Sequence, residues 1–163
     1  MVILAIFGAI MFTSKLIMEA LPNIHLVGMF TMLLAITYRL KGLISVYIYV
    51  ILCLAYIGFT PWWIPNLYTW ALLFFITLIL PKNMPRRVAF IVYPAICSLH
   101  GLAYGTLCAP VQAVAFGLNF EGTVAWIIAG LPFDITHAIG NLVAGLLIVP
   151  LSELLKKLNR MNA

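Results

Sequence analysis

From Val2 to Leu151 the chain reads as six apolar stretches separated by short polar or proline-bearing breaks. The stretches are 2–21, 24–38, 43–59, 62–80, 88–116 and 123–151. A membrane-spanning helix needs about 17–25 mostly apolar residues, so each is a candidate span. Of 163 residues, 65% are hydrophobic and 8% charged, against about 25% charged in an ordinary soluble domain. A chain so poor in charge cannot clothe a water-exposed surface. That excludes a soluble enzyme, a disordered segment and a free-standing nucleic-acid binder. Cys53, Cys97 and Cys108 lie inside apolar stretches, fit no disulfide or zinc spacing, and read as small buried hydrophobes.

The breaks test the count of six. Arg39 and Lys41 fall in the second break, Lys82, Arg86 and Arg87 in the fourth, and Lys156, Lys157 and Arg160 after the last span. The first, third and fifth breaks (22–23, 60–61 and 118–122) carry no Lys or Arg, and Lys15 alone is within a span. Cations on alternate sides are what six spans require, and the positive-inside rule then places both termini in the cytoplasm. No charged segment precedes Val2, so the first span reads as a retained helix rather than a cleaved signal. The expected fold is an all-α, single-domain membrane protein of six transmembrane helices. An amphipathic tail over 151–163, with Leu151, Leu154, Leu155 and Leu158 at helical spacing, continues the last helix along the cytoplasmic surface, lysines towards anionic lipid. Pro94, Pro110 and Pro132 are expected bends.

Small residues recur at intervals of four: Ala5, Ala9 and Thr13 in span one, Gly101, Gly105 and Ala109 in span five, and Gly140 with Ala144 in span six. Such stripes let helices approach closely in lipid. In spans five and six they read as internal packing. In span one, internal packing and docking to a partner subunit both fit.

Ionisable groups inside a span cost about 2.5–3.5 kcal/mol each on insertion scales and need a reason. Lys15 and Glu19 stand one turn apart in span one. Asp134, His137 and Asn141 share a face of span six, with Asp134 roughly 16 Å from the nearer loop at 1.5 Å per residue. His100 and Tyr104 are an i, i+4 pair in span five. Asn23 and His25 belong to the first outer loop, at and just past the break, Trp62, Trp63 and Asn66 to the third, Asn119 and Glu121 to the fifth. A structural ion pair is one reading of Lys15 with Glu19, and interfacial anchoring is one reading of the two tryptophans. Buried pairs add little net stability after desolvation. The stronger reading is an outward-opening polar cavity, walled by spans one, five and six and roofed by the tryptophan-bearing loops. Aromatic surfaces with a few oriented polar groups are the build of a small-molecule pocket. It suits a neutral, zwitterionic or cationic heterocycle better than a polyanion. The three histidines lack metal-ligand spacing, and no phosphate-binding loop, nucleophile elbow or cofactor signature is present, so no enzyme, metal or cofactor is expected.

Six short helices with cytoplasmic termini and Ala5-x-x-x-Ala9 resemble the S component of an energy-coupling factor (ECF) transporter. The strings 14–25 (SKLIMEALPNIH), 99–105 (LHGLAYG) and 130–137 (GLPFDITH) resemble small bacterial members. The resemblance covers nearly the whole chain as architecture, although many members carry a hydrophilic lead before the first helix. It implies a substrate-binding subunit of the bacterial cell membrane that captures a vitamin or related micronutrient from outside. It implies docking through Ala5 and Ala9 onto a transmembrane coupling protein driven by two cytoplasmic ATPases, with the first loop as a lid. The alternatives are a stand-alone proton-coupled carrier or channel, acting as an oligomer through Asp134, His137 and His100, and an intramembrane enzyme using the same groups.

Overall fold

The computed structural model describes residues 1–161; the last two residues of the tail and the side chain of Arg160 lie outside the described residues. Seven α-helices follow one another: α1 (Val2–Ile17), α2 (Val27–Tyr38), α3 (Leu43–Ile57), α4 (Asn66–Ile79), α5 (Arg86–Phe116), α6 (Phe120–Gly145) and α7 (Ile148–Met161). No strand occurs among the described residues. Three helical stretches are long and apolar enough to cross a membrane: Val27–Ile57, Arg86–Phe116 and Phe120–Gly145. Val2–Ile17 and Asn66–Ile79 are shorter apolar helices. The described residues thus form an all-helical fold compatible with a helical membrane bundle.

The stretch Val27–Ile57 is broken at Arg39, whose backbone sits at φ 54°, ψ −143°. An L-residue rarely adopts that conformation. A single 3₁₀ turn, Arg39–Gly42, then leads into α3, and Gly42 lies against the backbone of Leu34 where a β-carbon would collide.

Helix α2 is the axis of the bundle. It is apolar all round and buried from Val27 to Ala35 with one half-buried residue, as such a helix must be. One side of it joins Met11, Val46, Tyr49, Trp70 and Phe74; the other joins Leu73, Tyr93, Cys97, Ala144 and Ile148. Helix α1 packs on α3 through Leu4, Gly8 and Met11, with Ser45 Oγ donating to the Leu4 carbonyl at 2.7 Å. Ala5, Ala9 and Thr13 therefore point away from the bundle. Helices α5 and α6 form the closest pair, because Gly101 brings the α5 backbone against Ala138 and Asn141 of α6.

Several boundaries depart from those expected. Helix α1 ends at Ile17, and Met18–Asn23 turn, with Asn23 at φ 58°. Trp62 to Pro65 are turn, and α4 starts only at Asn66, because Pro61 and Pro65 flank the segment. The last span does not run to Leu151. It stops at Gly145, the chain turns at Leu146–Leu147, and α7 begins at Ile148. Helix α7 docks on the bundle through Ile148, Val149 and Leu155, while Leu154 and Leu158 stay exposed. The prolines do not end their helices: Pro94 and Pro110 lie within α5, Pro132 within α6.

The two ends of the bundle differ in charge. At one end Arg39, Lys82 and Lys156 surround a common pocket, and Arg86 pairs with Glu153 of α7 at 2.9 Å. At the other end of α4 and α5, Gln112 Nε2 donates to the Pro61 carbonyl at 3.1 Å, and the Trp62 ring lies 6.4 Å from Phe116 and 6.5 Å from Trp126.

Candidate substrate cavity

The end opposite Arg39, Lys82 and Lys156 holds two adjoining cavities that share Asn23, Trp62 and Tyr104 as walls. The first, about 330 Å³, is the polar lobe: Lys15, Glu19, His25, Asn66 and His137 line it together with Tyr49 and Trp70. The second, about 420 Å³, is the aromatic lobe, lined by Trp126, Phe133, Cys108, Gln112, Gly105 and Asp134. Together they have the size and the mostly apolar lining of a small-molecule site.

Trp70 is the hub of the polar lobe. Its indole N–H donates to Asn66 Oδ1 at 2.7 Å, and its ring lies 5.4 Å from His100, 5.5 Å from Tyr104 and 5.6 Å from His25. His137 closes the ring of aromatics, 4.7 Å from His25 and 5.0 Å from Tyr104. Asn66 is locked as well, because its amide donates to the Trp63 carbonyl at 3.1 Å, so its oxygen must face Trp70.

Charge is sparse here. Lys15 and Glu19 do not pair; with α1 ended at Ile17 they are no longer on one helical face, and the Tyr56 hydroxyl donates to Glu19 Oε2 at 3.3 Å. The Arg86–Glu153 contact is the ion pair among the described residues. His25 lies in the loop between α1 and α2, where burial, and after it the positive charge of Lys15, lower its pKa from 6.5 to about 4. It is therefore neutral near pH 7 and leaves Lys15 as the cation of this lobe. In the aromatic lobe Asp134 is buried, and its Oδ1 accepts the Gly105 N–H at 2.9 Å.

Nine of the thirteen expected binding residues line these cavities: Lys15, Glu19, Asn23, His25, Trp62, Asn66, Tyr104, Asp134 and His137. Four stand elsewhere. Trp63 turns into the core, with its indole N–H on the Val50 carbonyl at 2.9 Å. His100 lies behind Trp70 and bonds the Thr69 carbonyl through Nε2 at 3.0 Å. Asn141 donates to the Cys97 carbonyl at 3.1 Å between α5 and α6. Asn119 caps α6, accepting from the Gly122 N–H at 2.8 Å. The walls also extend beyond spans one, five and six, since α3 supplies Tyr49 and α4 supplies Asn66 and Trp70.

The residues that sequence reasoning missed follow a simple spacing. Cys108 and Gln112 follow the expected Tyr104 at intervals of four in α5, and Gly130 and Trp126 precede the expected Asp134 at the same interval in α6. Extending each polar residue's stripe by two turns would have found them. No group of His, Cys, Asp and Glu suited to a metal ion occurs among the described residues. No family model, curated protein or solved structure matches the chain.

Proposed function

We propose that this protein is the substrate-capture subunit of an ECF-type importer in a bacterial cell membrane. In this reading six helices, α1 to α6, cross the membrane with both termini in the cytoplasm, and the cavity opens outward. It binds a vitamin or related small heterocycle and catalyses no reaction of its own. Delivery depends on a transmembrane coupling protein, docked at Ala5 and Ala9, and on two cytoplasmic ATPases.

The observation that carries the reading is the two-lobed aromatic cavity at the end opposite Arg39, Lys82 and Lys156. Three features give it meaning. Its position there supports an outward opening by the positive-inside rule. Towards the cationic end the interior is filled by Met29, Met32, Leu33 and Leu73, which suits capture better than conduction. The exposed Ala5 and Ala9 leave room for another helix against α1. The residues also suit the class of ligand. Flat rings can stack on Trp62, Trp70 and Trp126, and Lys15, Glu19 and Asp134 can orient one zwitterionic or polar molecule.

The test is reconstitution. Gently purified protein should release a small heterocycle in native mass spectrometry. Proteoliposomes holding the chain alone should bind that compound without accumulating it, and should accumulate it once coupling protein, ATPases and ATP are added. Accumulation by the chain alone under a proton gradient would overturn the reading in favour of a secondary carrier.

A further inference from the structure

The pocket at the cationic end is built from segments far apart in the chain. Arg39 follows α2, Lys82 precedes α5, and Lys156 comes from α7; the space between them is about 200 Å³. Tyr93, buried, forms part of its wall. No carboxylate lines the pocket: Glu153, the acid of α7, is engaged by Arg86. Among the described residues three positive charges thus converge without a protein counter-ion, although like charges left together repel.

Arg39 adds an independent sign. Its backbone holds φ 54°, ψ −143°, where glycine is at ease and other residues are strained by about 1–3 kcal/mol. An arginine occupies the position nevertheless, and its Nη2 donates to the Leu78 carbonyl at 3.3 Å, holding the guanidinium at the end of α4. The rest of its N–H fork remains for an anion. Apolar side chains flank the same level, with Leu40 and Ile79 exposed at 65% and 84%. They belong beside acyl chains.

We propose that this pocket binds the phosphate headgroup of an anionic phospholipid, with its acyl chains along Leu40 and Ile79. The lipid supplies the missing negative charge and ties the α2–α3 turn, the α4–α5 turn and α7 together. Nothing in this depends on what the opposite cavity carries.

The test uses purified full-length protein in bilayer discs of phosphatidylcholine containing phosphatidylglycerol, with native mass spectrometry counting retained lipids. Wild type should retain phosphatidylglycerol over phosphatidylcholine, and each lost cation should cut that preference about fivefold. Arg39→Gly is the decisive variant, because it removes the charge while relieving the backbone, so its melting temperature in neutral detergent should hold or rise. Lys82→Gln with Lys156→Gln should act the same way on the lipid preference without touching the turn. Equal retention of the two lipids by wild type would overturn the assignment. So would an unchanged preference in both variants, or displacement of the lipid by soluble glycerol 3-phosphate at comparable concentration, which would mark a site for free phosphate esters.

Discussion

Asp134 and Gly105 meet at a single point between α6 and α5: Asp134 Oδ1 accepts the Gly105 N–H at 2.9 Å, and a β-carbon on residue 105 would overlap the carboxylate's other oxygen. The contact joins the small-residue stripe of α5 to the one acid deep in α6. It also holds that acid at the wall of the aromatic lobe. Gly105→Ala should therefore do two things. It should destabilise the protein by about 1–3 kcal/mol, read as a lowered melting temperature in detergent. It should also displace Asp134 and weaken ligand binding. Adding Asp134→Ala should restore part of the stability but none of the binding, because the overlap is with the carboxylate. Strictly additive losses would show that the two residues do not meet in this way.

Acid should loosen the polar lobe. The folded-state pKa of His25 is lowered from 6.5 to about 4, first by burial and then by Lys15. Above 6.5 the ring is neutral whether the chain is folded or not, so the stability tied to the neutral ring is fully present. As pH falls from about 6.5 towards about 4, the unfolded chain takes up the proton first and that stability is lost. A melting temperature that declines over this window in wild type and stays flatter in His25→Gln is the expected result. Parallel profiles would place the titration on another group.

The alternation of cations was legible in the chain, and the structure gathers Arg39, Lys82 and Lys156 at one end. Packing of the glycine stripe of α5 against α6 was legible too, since spacing by four marks a helix face regardless of depth. What escaped was decided by neighbours. Trp62 and Trp63 are adjacent and chemically identical, and only the position of the Val50 carbonyl determines which ring turns inward. The Lys15–Glu19 pair depended on α1 reaching Glu19. The turn that stops it at Ile17 leads to Pro22 and Asn23, whose influence on the preceding residues hydropathy does not register. The break at Leu146–Leu147 was hidden because the chain is apolar on both sides of it. Gly145 and Pro150 were the available punctuation.

Bulk on the outer face of α1 should separate binding from delivery. Ala9 is exposed, on the opposite side of the helix from Leu4, Gly8 and Met11. A leucine there meets no neighbour within the bundle, so Ala9→Leu should change stability by no more than about 0.5 kcal/mol and leave ligand affinity intact. Uptake by the reconstituted complex should be abolished, since the added side chain obstructs the approach of a second helix. Lys15→Ala should give the converse, weakened binding with docking retained. Normal uptake by Ala9→Leu would remove the coupling role from this stripe.

Sidedness can be read with cysteine probes, because Cys53, Cys97 and Cys108 are all buried and should give little background labelling. Phe59 is exposed in the turn after α3, at the end that carries the cavity, and Asn83 is exposed between α4 and α5, at the cationic end. With the cavity facing outward, Phe59→Cys should react with an impermeant maleimide on intact cells. Asn83→Cys should react only after the membrane is opened. Asn83 lies in an exposed turn, so Asn83→Cys should retain wild-type stability within about 0.5 kcal/mol. Phe59→Cys also gives up the ring's contact with Trp63, 5.7 Å between centroids, and should cost about 1 kcal/mol. The reverse pattern would turn the cavity towards the cytosol, and a capture subunit for external nutrients could not work in that orientation. Labelling of both positions from outside would instead mean that α4 does not cross the membrane, and the six-span topology would have to be abandoned.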